Sequence, residues 1–198
     1  MIKNLVFDLG GILVDLSFPT SIAFFQPFSP KGLDVLLAEI DDKHFFTRCQ
    51  TGEFSTDELL TYIQSHCEKT ISKQEIAYGW NICLRQIPLQ RLELIKKLRS
   101  KYNVYMLSNI CALHWEYIEE KFFEGQNVPV SECFDEIFLS YRMGMVKPND
   151  DIYQALIQKT GIVPQQTLYI DDLKPNIEAG QRAGFQTLLP QVSRMGED

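Results

Sequence analysis

The stretch "LVFDLGGILVD", Leu5 to Asp15, joins a short apolar run to an acid and then to two glycines. An apolar run bounded by a polar residue in front and by glycines behind is typical of a buried strand, here Ile2 to Phe7. Asp8 follows this strand directly, and Gly10 and Gly11 let the backbone turn sharply behind the acid. A carboxylate at the end of a buried strand is therefore the first candidate for a functional group.

The composition of the chain argues against several classes of function. The 198 residues are 45% hydrophobic, which is enough for one good core, or for one core and a small appended domain. A net charge of −7 argues against a nucleic-acid or an anionic membrane surface. No run reaches the roughly 18 apolar residues of a membrane span, and no signal peptide is expected before Asp8. The five cysteines have no paired metal-ligand spacing, which predicts reduced thiols in a cytoplasmic protein.

Two kinds of pattern divide the chain. Between about Ser17 and Pro88 the pattern is helical, and no strand is expected there. Amphipathic stretches run over 33–46, onward from a capping-box signature at 55–58, and over 72–84. This block predicts a purely helical segment.

After Pro88 helices and apolar strands alternate. The expected helices are 89–101, 112–123, 150–159 and 176–183, and the expected strands are 104–107, 137–139, 167–170 and 186–189. Such alternation predicts an α/β fold with a Rossmann-like parallel sheet and helices on both faces. The helical block is then an inserted all-helical cap, so that residues 1–15 and 88–198 form the core and 16–87 the cap.

Polar residues cluster where the predicted strands end. In an open parallel sheet, ligands bind beyond the carboxyl ends of the strands, so these residues are considered together. They are Asp8, Ser108-Asn109, Asp171-Asp172 and, at the start of the helix after the third strand, Lys147. Each alone is also explained as a helix cap, a turn residue or a solvated loop residue. Their coincidence at one edge of one sheet favours a common site.

The residue types at this edge indicate a specific chemistry. Carboxylates without histidine ligands describe a site for a hard cation, Mg²⁺ rather than zinc. A hydroxyl group, backbone N–H groups at a helix start and a lysine describe a phosphate cradle. A central carboxylate, Asp8, can then act as a nucleophile and become an aspartyl phosphate.

These motifs resemble those of the haloacid dehalogenase superfamily of phosphohydrolases, in subfamily I, whose helical C1 cap follows the first motif. The matching stretches are "DLGGI" at 8–12, "SN" at 108–109 after "VYML", Lys147 in "MGMVKPNDDIYQ", and "TLYIDDLKPNIEAG" at 167–180. Their order agrees, and so do the separations of 100, 39 and 25 residues between positions 8, 108, 147 and 172. The resemblance covers the whole chain and is to the small sugar-phosphate phosphatases of that group.

The resemblance implies a metal site. Asp8 would be both the nucleophile and a Mg²⁺ ligand, and the main-chain carbonyl of Gly10 would be a second ligand. Asp172 would bind the metal directly, and Asp171 directly or through water. Asn176 stands where many relatives have an acid that helps to order the metal site, and its amide adds no negative charge.

The resemblance also implies a phosphate site and a class of substrate. Ser108 and Asn109 would hold the phosphoryl oxygens, and Lys147 would neutralise charge on Asp8 and on the phosphate. The expected partner is a small phosphorylated metabolite, such as a sugar phosphate or phosphoglycolate, with no nucleic acid and no membrane. The expected assembly is a monomer or a weak homodimer.

The chain departs from the family pattern at Gly10. Most phosphatases of the superfamily carry there an acid that protonates the leaving oxygen and later activates water. Such general acid–base catalysis contributes roughly 10²–10⁴-fold to rate. Asp15 is one candidate substitute, although it is also explained as a polar residue at the entry to the cap. A substrate group or water are the others.

The missing acid leaves three alternatives open. The 2-haloacid dehalogenases also lack it, but they need no cation, and the pair Asp171-Asp172 would repel a carboxylate substrate. A phosphoacceptor receiver domain uses similar groups, but there the acidic pair precedes the phosphorylated aspartate, and here that order is inverted. The third alternative is a non-catalytic phosphate-binding or regulatory protein on the same fold.

The predicted cap carries candidates for contacts with the substrate. They are aromatic or cationic: Phe18, Phe24, Phe25, His44, Phe45, Phe46, Arg48, Tyr78 and Trp80. The Phe24-Phe25 and Phe45-Phe46 pairs are better explained as the cap's own core. The sequence assigns none of them to the substrate.

Overall fold

The computed structural model describes residues 1–29 and 45–190. Within these residues the strands are β1 (Asn4–Phe7), β2 (Asp15–Leu16), β3 (Leu84–Gln86), β4 (Asn103–Ser108), β5 (Glu136–Leu139), β6 (Thr167–Ile170) and β7 (Gln186–Leu188). The α-helices are α1 (Phe18–Phe25), α2 (Phe45–Gln50), α3 (Thr56–Ser65), α4 (Lys73–Asn81), α5 (Leu89–Arg99), α6 (Ala112–Ile118), α7 (Val130–Cys133), α8 (Ser140–Met143), α9 (Asp150–Thr160) and α10 (Lys174–Arg182). None of the helices in these two ranges combines the length and the apolar character that crossing a bilayer requires.

Five parallel strands form the main sheet in the order β5-β4-β1-β6-β7. The register places Phe7, the last residue of β1, beside Met106 of β4 and Ile170 of β6. Consequently the carboxyl ends of these three neighbouring strands lie side by side. This is the edge at which an open α/β sheet binds ligands.

Alternate strand residues face two separate apolar clusters, because successive side chains of a strand point to opposite faces. Leu5 and Phe7 pack with residues of α5 and α6. Val6, between them, packs with residues of α9 and α10. The prediction of a parallel sheet with helices on both faces is confirmed.

The helices α1 to α4 pack around a third cluster, which includes Phe25, Phe45, Ile63 and Trp80. Two of these helices begin with a complete capping box, Ser55 with Glu58 and Ser72 with Glu75. The helix starts predicted near 55 and 72 are therefore confirmed. Most of the amphipathic stretch 33–46 lies outside the described residues, and its last two residues begin α2.

The prediction of no strand between 17 and 88 is wrong. β3 pairs antiparallel with β2, with Gln86 opposite Asp15 and Leu84 opposite Leu16. The helix predicted over 72–84 ends earlier, at Asn81, because the chain turns into β3. A three-residue strand is too short to show alternation, and its partner lies about 70 residues away in the sequence. The ribbon of β2 and β3 joins the helical segment to the sheet.

Candidate active site

Three carboxylates meet at the carboxyl edge of the sheet. Asp8 follows β1, and Asp171 and Asp172 follow β6. One oxygen from each of the three lies within 4.8 Å of the others. Asp8 and Asp171 are buried, so their charges are not dispersed by water. Such a concentration of negative charge requires compensation by cations.

Lys147 supplies one positive charge inside this cluster. Its Nζ lies 2.9 Å from Asp8 Oδ1 and 2.7 Å from Asp171 Oδ2. It also donates a hydrogen bond to the carbonyl oxygen of Leu107, at 3.0 Å. Burial disfavours the ammonium ion, but Asp8 and Asp171 raise the pKa of Lys147 above its ordinary value. Lys147 is therefore a fixed, fully charged group that touches two of the three acids.

Asp8 has an environment that opposes its ionisation. Burial raises the pKa of Asp8 from 3.8 to about 7; Lys147 lowers it, and the charge of Asp171 raises it. The backbone N–H of Leu9 also donates to Asp8 Oδ1, at 2.6 Å. Because Lys147 is shared between Asp8 and Asp171, its single positive charge does not fully compensate a negative charge on Asp8.

Asp171 is surrounded by donors. Oδ2 accepts from Lys147 and from the hydroxyl group of Tyr169. Oδ1 accepts from the backbone N–H of Leu173 at 2.8 Å, and Asn176 Nδ2 lies 3.0 and 3.1 Å from the two oxygens. Burial opposes ionisation here too, yet Lys147 and these hydrogen bonds lower the pKa of Asp171. Asp171 is a permanent anion whose oxygens are already engaged in orienting Lys147.

Asn109 holds the loop that carries Lys147. Its Nδ2 donates to the carbonyl oxygen of Lys147 at 2.9 Å, and its Oδ1 accepts from the N–H of Lys147 at 2.8 Å. Asn109 therefore joins the loop after β4 to the loop that carries Lys147, and its expected contact with a phosphoryl oxygen stays a prediction. Ser108 is buried and lines the cavity beside the site. Ser108 remains available to a ligand.

Sequence reasoning missed two supporting residues. Tyr169 donates to Asp171, and its position two residues earlier in β6 was the available signal, because residues i and i+2 of a strand share a face. Ser140 exchanges hydrogen bonds of 2.9 and 3.1 Å with the backbone of Ile110 and so holds the loop after β4. No sequence signal marks Ser140.

The two glycines behind Asp8 differ in how strictly they are required. Gly11 has φ = +74°, and a Cβ there would lie 2.4 Å from Asp172 Oδ2. Gly10 is outside the left-handed region, and among the described residues a Cβ there would meet the terminal Cδ1 of Leu16, at 3.1 Å. The backbone therefore demands glycine at position 11 but not at position 10.

Replacing Gly11 by alanine should therefore disturb the site, whereas replacing Gly10 by alanine should not. We expect Gly11→Ala to lower the free energy of unfolding by about 1–2 kcal/mol from its backbone conformation alone. Contact with Asp172 adds to this cost. Urea unfolding of both variants is the measurement, and equal losses in the two would contradict the different roles assigned to these glycines.

The carboxylate of Asp15 is held by contacts at the ribbon that joins the helical segment to the sheet. Its Oδ1 lies 2.7 Å from Arg91 Nη1, and its Oδ2 accepts from Gln86 Nε2 at 3.2 Å. Arg91 Nη1 also donates to the carbonyl oxygen of Leu13, at 2.8 Å. These contacts favour the interpretation of Asp15 as a polar residue at the entry to the cap over its interpretation as a proton carrier.

A cavity of about 390 Å³ adjoins the site. Gly10, Ser108 and Asn109 line it together with Phe18, Phe46 and Trp80 of the helical segment. This volume is in the range of ligand pockets, which are mostly apolar with a few polar groups. A larger, more open depression of about 990 Å³ lies over residues 119–159 and contains none of the site residues.

The other aromatic and cationic candidates lie elsewhere. Phe25 and Phe45 are fully buried in the helical segment, as expected for its core. Phe24 packs against Tyr78 with ring centroids 5.5 Å apart. Arg48 pairs with Glu53 at 3.0 Å and lies over the ring of Phe54. His44 is outside the described residues.

Known proteins are similar to this chain in sequence and in fold. Residues 120–189 match the family described as "Haloacid dehalogenase-like hydrolase". A D-ribitol-5-phosphate phosphatase of Bacteroides thetaiotaomicron is 29% identical over 96% of this chain and 93% of its own length. Among solved structures, a HAD family enzyme of the same species is 33% identical, with a TM-score of 0.91 over 100% of this chain and 96% of that chain. It has also been solved in complex with magnesium and inorganic phosphate, with a TM-score of 0.86.

A further solved structure, a predicted HAD-like family hydrolase of Porphyromonas gingivalis, is 30% identical with a TM-score of 0.87. It covers 98% of this chain and 94% of that chain. Identity at this level across nearly the whole of both chains shows common descent. The chain therefore belongs to the haloacid dehalogenase-like hydrolase family.

Proposed function

We propose that this chain is a Mg²⁺-dependent phosphatase that hydrolyses a small phosphorylated metabolite, with Asp8 as the nucleophile. The observation that carries the proposal is the convergence of Asp8, Asp171, Asp172 and Lys147 at one sheet edge, beside a cavity. The similarity to a D-ribitol-5-phosphate phosphatase, and to an enzyme solved with magnesium and phosphate, supports this reaction class. A sugar or polyol phosphate is the first substrate class to test.

The donor set fits Mg²⁺. In the part of the chain that is described, the acidic cluster offers carboxylate oxygens only, and hard cations prefer oxygen ligands. Asp8, Asp172 and the main-chain carbonyl of Gly10 would hold the ion. Asp171 would act through water, because its oxygens already accept hydrogen bonds. When bound, Mg²⁺ supplies positive charge that offsets the carboxylates and the phosphate.

The residues of the chain supply the remaining chemistry. A carboxylate oxygen of Asp8 attacks phosphorus, the bond from phosphorus to the leaving oxygen breaks, and an aspartyl phosphate forms. Lys147 neutralises charge on Asp8 and the phosphate, and the Ser108 hydroxyl donates to a phosphoryl oxygen. Water then attacks the aspartyl phosphate, which releases inorganic phosphate and restores Asp8. Asn109 serves both steps by fixing the loop of Lys147.

We also propose that residues 16–87 act as a cap on the core formed by 1–15 and 88–198. The ribbon of β2 and β3, fastened by Asp15, Gln86 and Arg91, would be the hinge between them. Closure would exclude water from the site and bring the cavity-lining aromatic residues onto the substrate. The five free cysteines support a cytoplasmic location. A monomer or weak homodimer stays a prediction.

One observation favours a second candidate, a phosphate-binding protein without turnover. The backbone conformation of position 10 does not require glycine, and yet the position carries no acid. Such a protein would bind phosphate esters and release no inorganic phosphate. A dehalogenase is disfavoured, because the carboxylates of Asp171 and Asp172 repel a carboxylate substrate and favour a cation.

Removing the metal should abolish activity. We expect phosphate release from a panel of phosphorylated metabolites to fall to background with excess chelator and to return with added Mg²⁺, because the site holds more negative charge than Lys147 neutralises. Undiminished release in chelator would favour a metal-independent hydrolase. Calorimetric titration with inorganic phosphate separates the binding protein, which would show binding and no release.

A further inference from the structure

Two exposed phenylalanines line the cavity beside the site. The chain has 13 phenylalanines, all within the described residues, and only Phe18 and Phe46 are exposed, with 58% and 49% of their surface accessible. They belong to different helices, α1 and α2, yet both line the cavity that Gly10 and Ser108 also line. Large apolar side chains are unfavourable in water, and exposed apolar surface at a cavity is typical of a binding site. The shared position of the two rings therefore indicates a ligand that covers them.

Phe46 belongs to a row of three rings, here called the aromatic wall, which also includes Trp80 and His114. The rings of Phe46 and Trp80 lie at 22° to each other with centroids 5.9 Å apart, and those of Trp80 and His114 lie at 31° with centroids 5.7 Å apart. All three residues line the cavity. Trp80 is buried, and His114 Nε2 lies 3.1 Å from the Trp80 carbonyl oxygen, so these two rings are held in place. The aromatic wall is thus a preformed apolar surface in the same cavity as Ser108.

The remainder of the cavity offers few hydrogen-bonding side chains to a leaving group. Among the described lining residues, the side chains with an amide or imidazole group are Gln50, Asn109 and His114. Asn109 is paired with the backbone of Lys147, and His114 Nε2 with the carbonyl group of Trp80. The aliphatic lining residues are Leu9, Val14, Leu16, Leu84, Ile110 and Ile118. Hydroxyl groups of a bound polyol would lose hydrogen bonds to water in such surroundings, whereas an apolar ring has none to lose.

We propose that the leaving group of the substrate carries an aromatic ring, which packs against Phe18 and Phe46. This inference rests on the proposed function, and it favours the phosphate ester of an aromatic alcohol over a sugar or polyol phosphate. With the phosphate at Asp8 and Ser108, the ring occupies the remainder of the cavity, whose volume of about 390 Å³ is in the range of small-ligand pockets. Offset-stacked and edge-to-face contacts between aromatic rings add to the stabilisation from apolar burial.

Two esters of primary alcohols test the proposal: 2-phenylethyl phosphate and D-ribitol 5-phosphate. The leaving oxygen needs a proton in both, so the missing acid at position 10 does not distinguish them. We expect kcat/KM with Mg²⁺ to be at least about tenfold higher for 2-phenylethyl phosphate, because its ring gains aromatic contacts and the polyol loses hydrogen bonds. An equal or higher kcat/KM for D-ribitol 5-phosphate would overturn the proposal.

Variants test the two phenylalanines directly. Phe46→Ala removes the exposed ring of the aromatic wall and should lower the ratio of the two kcat/KM values, aromatic ester over polyol ester, by about fivefold. Phe18→Ala measures the same ratio independently, from the other helix. Tyr78→Ala is the matched control and should keep the parent ratio, because Tyr78 is an exposed aromatic residue of the helical segment that packs against Phe24 and does not line the cavity. A ratio that neither phenylalanine variant changes would contradict the proposal.

Binding without turnover separates this inference from the proposed function. Calorimetric titration of the Asp8→Asn variant in Mg²⁺ should show 2-phenylethyl phosphate binding at least about tenfold more tightly than D-ribitol 5-phosphate. If the parent protein released no phosphate from either ester, the proposed function would fail, and the order of the two affinities would still decide the nature of the ligand. Tighter binding of D-ribitol 5-phosphate, or no binding of 2-phenylethyl phosphate, would overturn the inference.

Discussion

Replacing Asp8 by asparagine should reduce phosphate release to background while leaving the protein folded. The amide keeps the shape of the carboxylate but removes its charge and its nucleophilicity, so no aspartyl phosphate can form. Lys147 keeps its second partner, Asp171, at 2.7 Å, and the rest of the network stays intact. An Asp57→Asn variant on the exposed surface of α3 is the control and should retain the parent rate. Turnover above about a hundredth of the parent rate would contradict the covalent mechanism.

The same substitution should make the metal-free protein more stable at neutral and alkaline pH. The pKa of Asp8 is about 7 in the folded protein and 3.8 as the reference value. Because the pKa of Asp8 is raised on folding, the protonated side chain contributes its full stability at pH values below the unfolded-state pKa of 3.8. This stability is lost as the pH rises through the folded-state pKa of about 7. The Asp8→Asn variant has no carboxylate at this position, so it loses no free energy of unfolding through this ionisation.

Urea unfolding in the presence of chelator measures this effect. The free energy of unfolding of Asp8→Asn, relative to the parent, should rise between about pH 4 and pH 7 and level off above, by at least about 1 kcal/mol. The negative charge of the Asp8 carboxylate then destabilises the fold and is also required for the reaction, which is a stability–activity trade-off of the kind found at active sites. A relative stability that falls over this window would show that the folded protein favours the Asp8 carboxylate.

The alternating part of the fold was predictable because its signals are local and repeated. The strand 167–170 and the helix 150–159 are bounded by polar and turn residues, and the structure has them at Thr167–Ile170 and Asp150–Thr160. The helix starts at 55 and 72 follow from hydrogen bonds within four consecutive residues. β3 was not predicted, because the formation of a three-residue strand depends on pairing with its distant partner β2 and not on a pattern in its own sequence.

The candidate site was also predictable only in part. The proximity of Asp8, Lys147 and Asp171 follows from parallel strands that end at one edge, which the motif order already implies. The partner of each side-chain oxygen does not follow from spacing. Asn109 has the position of a phosphate ligand, but its amide fits the backbone of Lys147. Only the rotamers and the loop geometry decide between these two uses.

The lack of an acid at position 10 should determine which class of substrate reacts fastest. An alkoxide that leaves a sugar or alkyl phosphate needs a proton, whereas a nitrophenolate or a carboxylate leaves without one. Asp15, the nearest candidate for a substitute acid in the sequence, is held by Arg91 and Gln86. The parent protein should therefore favour aryl and acyl phosphates over alkyl phosphates.

Installing the missing acid should change this preference. We expect Gly10→Asp to raise the turnover of alkyl phosphates more than that of aryl phosphates, within the roughly 10²–10⁴-fold that general acid catalysis supplies. The backbone permits the change, because Gly10 lies outside the left-handed region. Among the described residues, a Cβ there would meet the flexible end of Leu16 at 3.1 Å, and this methyl group must shift slightly. Gly10→Ala is the matched control, since it adds the same Cβ without an acid.

The comparison must be made on the first step of the reaction. An acid at position 10 also activates water against the aspartyl phosphate, which would accelerate the second step for both classes of substrate. Single-turnover formation of the aspartyl phosphate isolates the step in which the leaving group needs its proton. The argument fails if the parent shows no leaving-group preference, or if a folded Gly10→Asp variant keeps the alkyl-to-aryl ratio of Gly10→Ala. Another group would then already supply the proton, and Asp15→Asn would be the first variant with which to identify it.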